Sequence, residues 1–354
     1  MMWNLFSGMG RRLLRRAGFA AVALAGLLSA QLAAAGCLDT KPLVGVNLSG
    51  AEFAPDKLPG TIFKDYMYPD AADMRHFQAQ GMNTFRLPFL WERIQPQLFG
   101  ALDAAELKRI SDTVAAARSM NVCVILDVHN FGQYRGKPIG SPEVSRAALS
   151  DLWLRLLAAF PDPANTAFGL MNEPSQMSVA DWAATAQQTL DALRKNGAKQ
   201  LILVPGGGWS GAHSWHAKDR GVSNAEAFQN FHDPANNYLI EVHQYADGNY
   251  SGTGSNCVDP ARLSTVMNDM TQWAHATKQR LFLGEFGVTV NDQCLRDLTA
   301  IVNGMKGEPA WGGWTYWAAG KWLAAYPLSI QPEQGTGADK PQMAILKNGI
   351  GTVR

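Results

Sequence analysis

Val122-Cys-Val-Ile-Leu-Asp-Val-His-Asn130 is the stretch that decides the fold. Residues 122–128 are almost wholly apolar, and a polar pair follows at once. So short and so apolar a run reads as a strand buried on both faces, as in a parallel sheet covered by helices. Similar runs recur at Leu43–Leu48, Thr84–Phe89, Ala167–Met171, Leu201–Val204, Tyr238–Val242, Arg280–Leu283 and Gly313–Trp317. Helical patterns lie between them over Ala104–Met120, Arg146–Phe160, Val179–Asn196, Arg262–Thr277 and Gln293–Met305. Eight strand units spread over residues 37–354 fit a single-domain α/β fold, the (β/α)8 TIM barrel. An open doubly wound sheet is the rival. No Gly-x-Gly-x-x-Gly follows the first strand, so a nucleotide-binding version of that sheet has no support.

Outward from the strands, residues 1–36 read as an export signal preceding the domain. Arg11, Arg12, Arg15 and Arg16 come before the apolar run 17–35, and Ala33-Ala34-Ala35 offers a small-residue cleavage site. Ala35-Gly36-Cys37 also resembles the end of a lipobox, which would acylate Cys37 and tether the protein to a membrane. The protein is otherwise expected to be secreted, extracellular or periplasmic. Cysteine usage agrees with export. Cys257 and Cys294 lie in polar sequence and are expected to form a disulfide. Cys123, inside its apolar strand, reads as a buried free thiol, which leaves Cys37 over.

The 354 residues are 47% hydrophobic and 17% charged, which allows a large core and excludes global disorder. The net charge is +1. Removing the four signal arginines leaves 27 basic residues against 30 acidic ones, so the mature chain is mildly acidic. Nothing here points to nucleic acid.

In a barrel of this kind the chemistry gathers at the C-terminal ends of the strands. The residues found there are Arg86, His129, Asn172, Glu173, His243, Tyr245, Glu285 and Trp317. Glu173 and Glu285 both end apolar runs, where an unpaired carboxylate would be costly. Gly284 and Gly287 flank Glu285 and are read as letting a bulky substrate approach the backbone. Two facing carboxylates on one rim suit acetal hydrolysis. The histidines and acids could instead ligate a metal, but no two close-spaced ligands share an element, so no metal and no cofactor is expected.

Phe85-Arg-Leu-Pro88, Asp127-Val-His-Asn130, Met171-Asn-Glu-Pro174, Val242-His-Gln-Tyr245, Gly284-Glu-Phe-Gly287 and Trp314-Thr-Tyr-Trp317, in this order, resemble glycoside hydrolase family 5. The nearest likeness is to its endo-β-1,4-glucanase (cellulase) branch. The resemblance implies a retaining double displacement, with Glu285 as nucleophile and Glu173 as acid/base. It implies that Arg86 and Tyr245 hold the Glu285 carboxylate, and that Asn172 binds the sugar 2-hydroxyl. His129 and His243 would bind hydroxyls or tune Glu173, and Trp317 would carry the sugar ring. Among the 11 tryptophans, Trp209 and Trp322 stand near strand ends and are expected to form further subsites, while Trp153, Trp182 and Trp273 fall in helix patterns. The expected partner is a β-glucan polysaccharide, acted on by a monomer. Mannan, xyloglucan and mixed-linkage glucan remain alternatives, as does a glycan-binding protein on an inactive scaffold.

Overall fold

Eight parallel strands close into a barrel in the computed structural model, which describes residues 36, 37 and 41–350. The strands are β1 (Leu43–Leu48), β2 (Thr84–Phe89), β3 (Cys123–Val128), β4 (Thr166–Gly169), β5 (Ile202–Pro205), β6 (Tyr238–His243), β7 (Leu281–Glu285) and β8 (Trp311–Ala319). Each pairs with its neighbour in sequence, and β8 closes on β1. The expected export signal, apart from Gly36, lies outside the described residues. Among the described residues no helix is long and apolar enough to cross a membrane.

Parallel neighbours need a crossover, and a helix supplies each one. These are α1 (Ala71–Ala79), α2 (Ala104–Arg118), α3 (Arg146–Ala159), α4 (Val179–Lys195), α5 (Asn224–Phe228), α6 (Pro260–Thr277) and α7 (Asp292–Gly304), and an eighth helix, α8 (Gln342–Ile350), follows β8. Side-chain caps fix many of the starts: Asp70 before α1, Asp103 before α2, Asp259 before α6 and Asn291 before α7. The helices α1, α5 and α8 were not anticipated. Of these, α5 has only 5 residues and is set by a reciprocal Ser223–Glu226 capping box. The expected fourth strand ran to Met171, but the ladder stops at Gly169, and the next residues turn to present Asn172 and Glu173.

Alternation along the strands divides the barrel interior into layers. Leu43, Cys123, Ile125, Ala167, Leu203, Leu239 and Phe282 pack together in one apolar cluster. Two residues further along their strands come Asp127 and Glu241, both fully buried. The barrel is therefore apolar below and ionic above, and the ionic layer supports the rim.

Two disulfides are present. Cys257 and Cys294 are joined as expected, with Cys294 in the first turn of α7. The reading of Cys123 as a free thiol is wrong, because it pairs with Cys37 across a separation of 86 residues. Cys37 is also held by its backbone N–H, which donates to the Ala164 carbonyl at 3.0 Å. A sulfur in a disulfide cannot also carry a thioether lipid, so this pairing is incompatible with acylation of Cys37.

In the chain-entropy account the longer loop contributes about 4–5 kcal/mol and the shorter about 4 kcal/mol. The double variant Cys37→Ser, Cys123→Ser should lose stability on that scale in urea unfolding. Alkylation of the native protein should label no cysteine, and a labelled Cys123 would contradict the pairing.

Candidate active site

Arg86 is the hub of the rim. The register sets Asn47 of β1 beside Arg86 of β2, and Asp127 of β3 beside Pro88 of β2. The guanidinium is fully buried, and both its Nη atoms donate hydrogen bonds. Nη1 donates to Glu285 Oε1 at 2.8 Å and to Asn47 Oδ1 at 2.9 Å. Nη2 donates to Asn172 Oδ1 at 2.9 Å and lies 3.0 Å from Asp127 Oδ1. Nε lies 3.2 Å from Glu241 Oε1. Because Asn172 Oδ1 faces Arg86, its Nδ2 is the end that meets His129 Nε2, at 3.1 Å. That nitrogen must then accept, so the His129 proton sits on Nδ1 and is donated to Asp127 Oδ2 at 2.8 Å.

The register between β6 and β7 places His243 opposite Glu285. His243 Nδ1 donates to Glu173 Oε1 at 2.8 Å and lies 3.6 Å from Glu285 Oε2. The Tyr245 hydroxyl donates to Glu285 Oε2 at 2.7 Å. Carboxylate oxygens of Glu173 and Glu285 and the His243 nitrogen all fall within 4.8 Å of one another. Glu173 reaches this position from a backbone φ of +41°, a left-handed conformation that is uncommon and strained for a residue with a side chain. Its neighbours hold it there: Asn172 N–H donates to the Val128 carbonyl at 2.7 Å, and Phe131 N–H to the Asn172 carbonyl at 3.0 Å.

A family model described as Cellulase (glycosyl hydrolase family 5) matches residues 45–321. The chain belongs to glycosyl hydrolase family 5. The endo-β-1,4-glucanase Xac0029 from Xanthomonas axonopodis pv. citri is 45% identical, with a TM-score of 0.85 over 88% of this chain and 98% of that one. XacCel5A in complex with cellopentaose is 49% identical, with a TM-score of 0.84 over 87% and 99%. Endo-beta-1,4-glucanase B of Emericella nidulans is 31% identical over 82% of this chain and 86% of its own length.

Two cavities open at the rim of this family 5 glycoside hydrolase, one beside His129 and Trp317 and the other beside Glu173. One of about 910 Å³ is lined by Glu52, Phe53, His129, Phe131, Trp317 and Trp322. The other, about 440 Å³, is lined by Glu173, Trp209, His213, Tyr245 and Tyr250. Phe131 links them, its ring centroid 5.8 Å from that of Trp209. Trp317 stacks on His129 at 5.5 Å, so the imidazole backs the indole as well as orienting Asn172. Trp209 and Trp322 are 55% and 41% exposed, which leaves their faces open. Trp153, Trp182 and Trp273 are core, as expected.

Electrostatics follow from burial. Burial raises the Glu285 carboxyl above its ordinary value, and His243 and Arg86 oppose that rise. Burial alone would lower His243, but Glu285, Glu173 and Glu241 together push it up to about 10. His243 is therefore an imidazolium at neutral pH. Its Nδ1 carries a proton toward Glu173.

One reading needs correction. The glycines beside Glu285 serve the protein's own packing. A Cβ on Gly284 would lie 2.1 Å from Glu241 Oε1, and one on Gly287 would lie 2.5 Å from the Trp317 carbonyl. Asn47, Asp127 and Glu241 were missed, although the i, i+2 alternation of Leu239, Glu241 and His243 shows that all three share a face.

Proposed function

We propose that the protein is a secreted endo-β-1,4-glucanase that hydrolyses β-1,4-glucan with retention. The observation that carries this reading is the spacing of Glu173 and Glu285, whose carboxylate oxygens fall within 4.8 Å. Retaining glycosidases hold these groups about 5–5.5 Å apart, whereas inverting ones leave about 6.5–9.5 Å for a water. The cleft on both sides of the pair supports an endo mode of attack. The glucanase names and the cellopentaose complex among the relatives support the substrate.

In this reading Glu285 attacks the anomeric carbon and forms a glycosyl ester. Arg86 and Tyr245 bind one oxygen each and aim the carboxylate. Glu173 donates its proton to the leaving oxygen and then takes one from the incoming water. The leaving side belongs to the cavity beside Glu173, with Trp209 and Tyr250 as stacking surfaces. The glycone lies over Trp317 and runs toward Trp322. Asn172, with one amide N–H still free of His129, binds the 2-hydroxyl, a contact that strengthens in the transition state. Residues 1–36 act as the export signal, a reading supported by two disulfides in the folded chain.

Purified enzyme should lower the viscosity of carboxymethylcellulose and release reducing sugar from it and from mixed-linkage glucan. Galactomannan and xyloglucan serve as the contrast. Release from galactomannan alone would overturn the substrate assignment.

A further inference from the structure

Glu241 lies in β6 with no access to solvent, beneath the rim and out of reach of substrate. Its Oε1 is 3.2 Å from Arg86 Nε and 3.2 Å from His243 Nε2. These are the two cations that touch the glutamate pair, Arg86 on Glu285 and His243 on Glu173. The other oxygen, Oε2, is buried without a hydrogen-bond partner. An under-satisfied buried carboxylate is costly, and so is the glycine at position 284 that makes room for it. Two local costs at one point mark a group whose charge is in use.

We propose that Glu241 is the shared counter-ion of Arg86 and His243, a positioning residue that keeps His243 doubly protonated between the two glutamates and seats the Arg86 fork on Glu285. Its effect on turnover rests on the two-glutamate reading above; its effect on His243 does not.

The charged surroundings favour this role. His243 is faced by Glu173 from the loop after β4, by Glu285 from β7 and by Glu241 from its own strand, with the Tyr245 hydroxyl on Glu285. Arg86 is faced by Asp127 from β3, Glu241 from β6 and Glu285 from β7, and His129 is engaged by Asp127. Glu285 loses its charge when it becomes an ester, and Glu173 gains and loses a proton in every cycle. Glu241 takes no part in these bond changes, so both cations keep one partner through each step.

Histidine-labelled full-length enzyme, followed by imidazole NMR against pH, tests this directly. The His243 resonance should stay that of an imidazolium well above pH 7 in the wild type. Glu241→Gln, which keeps the shape and removes the charge, should lower that titration by about one pH unit or more. The alkaline limb of its kcat on an aryl β-cellobioside should move down in pH by the same interval, with KM little changed. Glu241→Asp should restore most of both. An unmoved His243 titration in Glu241→Gln would overturn the proposal, as would an equal loss of kcat at every pH without rescue by Asp. Should Glu241→Gln fail to fold, the wild-type titration decides, since a His243 neutral at pH 7 contradicts the assignment. The titration needs no substrate, so a failure of the two-glutamate reading would show only in the kinetics.

Discussion

Arg86→Ala is expected to lower kcat by about 10²–10³-fold or more, the scale set by losing a preorganised donor to a reacting carboxylate. It should also destabilise the protein, contrary to what its place on the rim first suggests. Arg86 is fully buried against Asp127, Glu241 and Glu285. Removing it leaves three carboxylates without their common cation, a loss of about 3–5 kcal/mol. Thermal unfolding should shift down by on the order of 5–10 °C. The pH profile gives a separate readout. Burial already raises the Glu285 carboxyl, and Arg86 opposes that rise. Without Arg86 the carboxyl rises further, so the acid limb of kcat/KM moves to higher pH. Arg86→Lys restores charge but cannot span five acceptors, and it should recover stability better than rate. An acid limb that stays in place in Arg86→Ala would show that the pairing does not govern Glu285.

How much of this was legible in the sequence depends on whether a residue's partner is local. The eight strands were readable because burial on both faces forces continuous apolar runs, as in Cys123–Val128. Five helices were readable because each is long enough to show a period. The five-residue α5 is not. Glu173, Glu285, Arg86 and Tyr245 stand where strands end, and the fold brings them together. What stayed hidden depends on register between strands far apart in sequence. Glu241 looked like one acid in an apolar run, and only the pairing of β6 with β7 sets it against Gly284. Cys37 and Cys123 are 86 residues apart and meet below the sheet, where no local pattern signals a partner. His129 was expected to bind hydroxyls or tune Glu173, and what the sequence did not signal is that its ring is held by Asp127, Asn172 and Trp317.

Glu285→Ala should be the most damaging single change, with a loss of roughly 10⁴-fold or more, because in the proposed double displacement it removes the group that forms the covalent intermediate. It leaves a cavity on the α face of a β-linked sugar. Azide can enter there and attack directly, giving an α-glycosyl azide from a substrate with an activated leaving group. Glu173→Ala should cost about 10²–10⁴-fold on substrates that need protonation. With a leaving group that needs none, the glycosyl ester on Glu285 still forms. Azide then replaces water on the second step and gives a β-glycosyl azide. Opposite anomers from the two variants cannot arise from a general loss of folding. The same anomer from both would reverse or abolish the role assignment.

Retention itself is the central claim, and the wild-type enzyme tests it without any substitution. Proton NMR during hydrolysis of a soluble β-1,4-linked cello-oligosaccharide reads the anomeric configuration of the new hemiacetal before mutarotation. If Glu285 is the nucleophile, as the approach of one of its carboxylate oxygens to one of Glu173 within 4.8 Å supports, the β-anomer should appear first. First appearance of the α-anomer would mean single-step inversion and would contradict the double displacement.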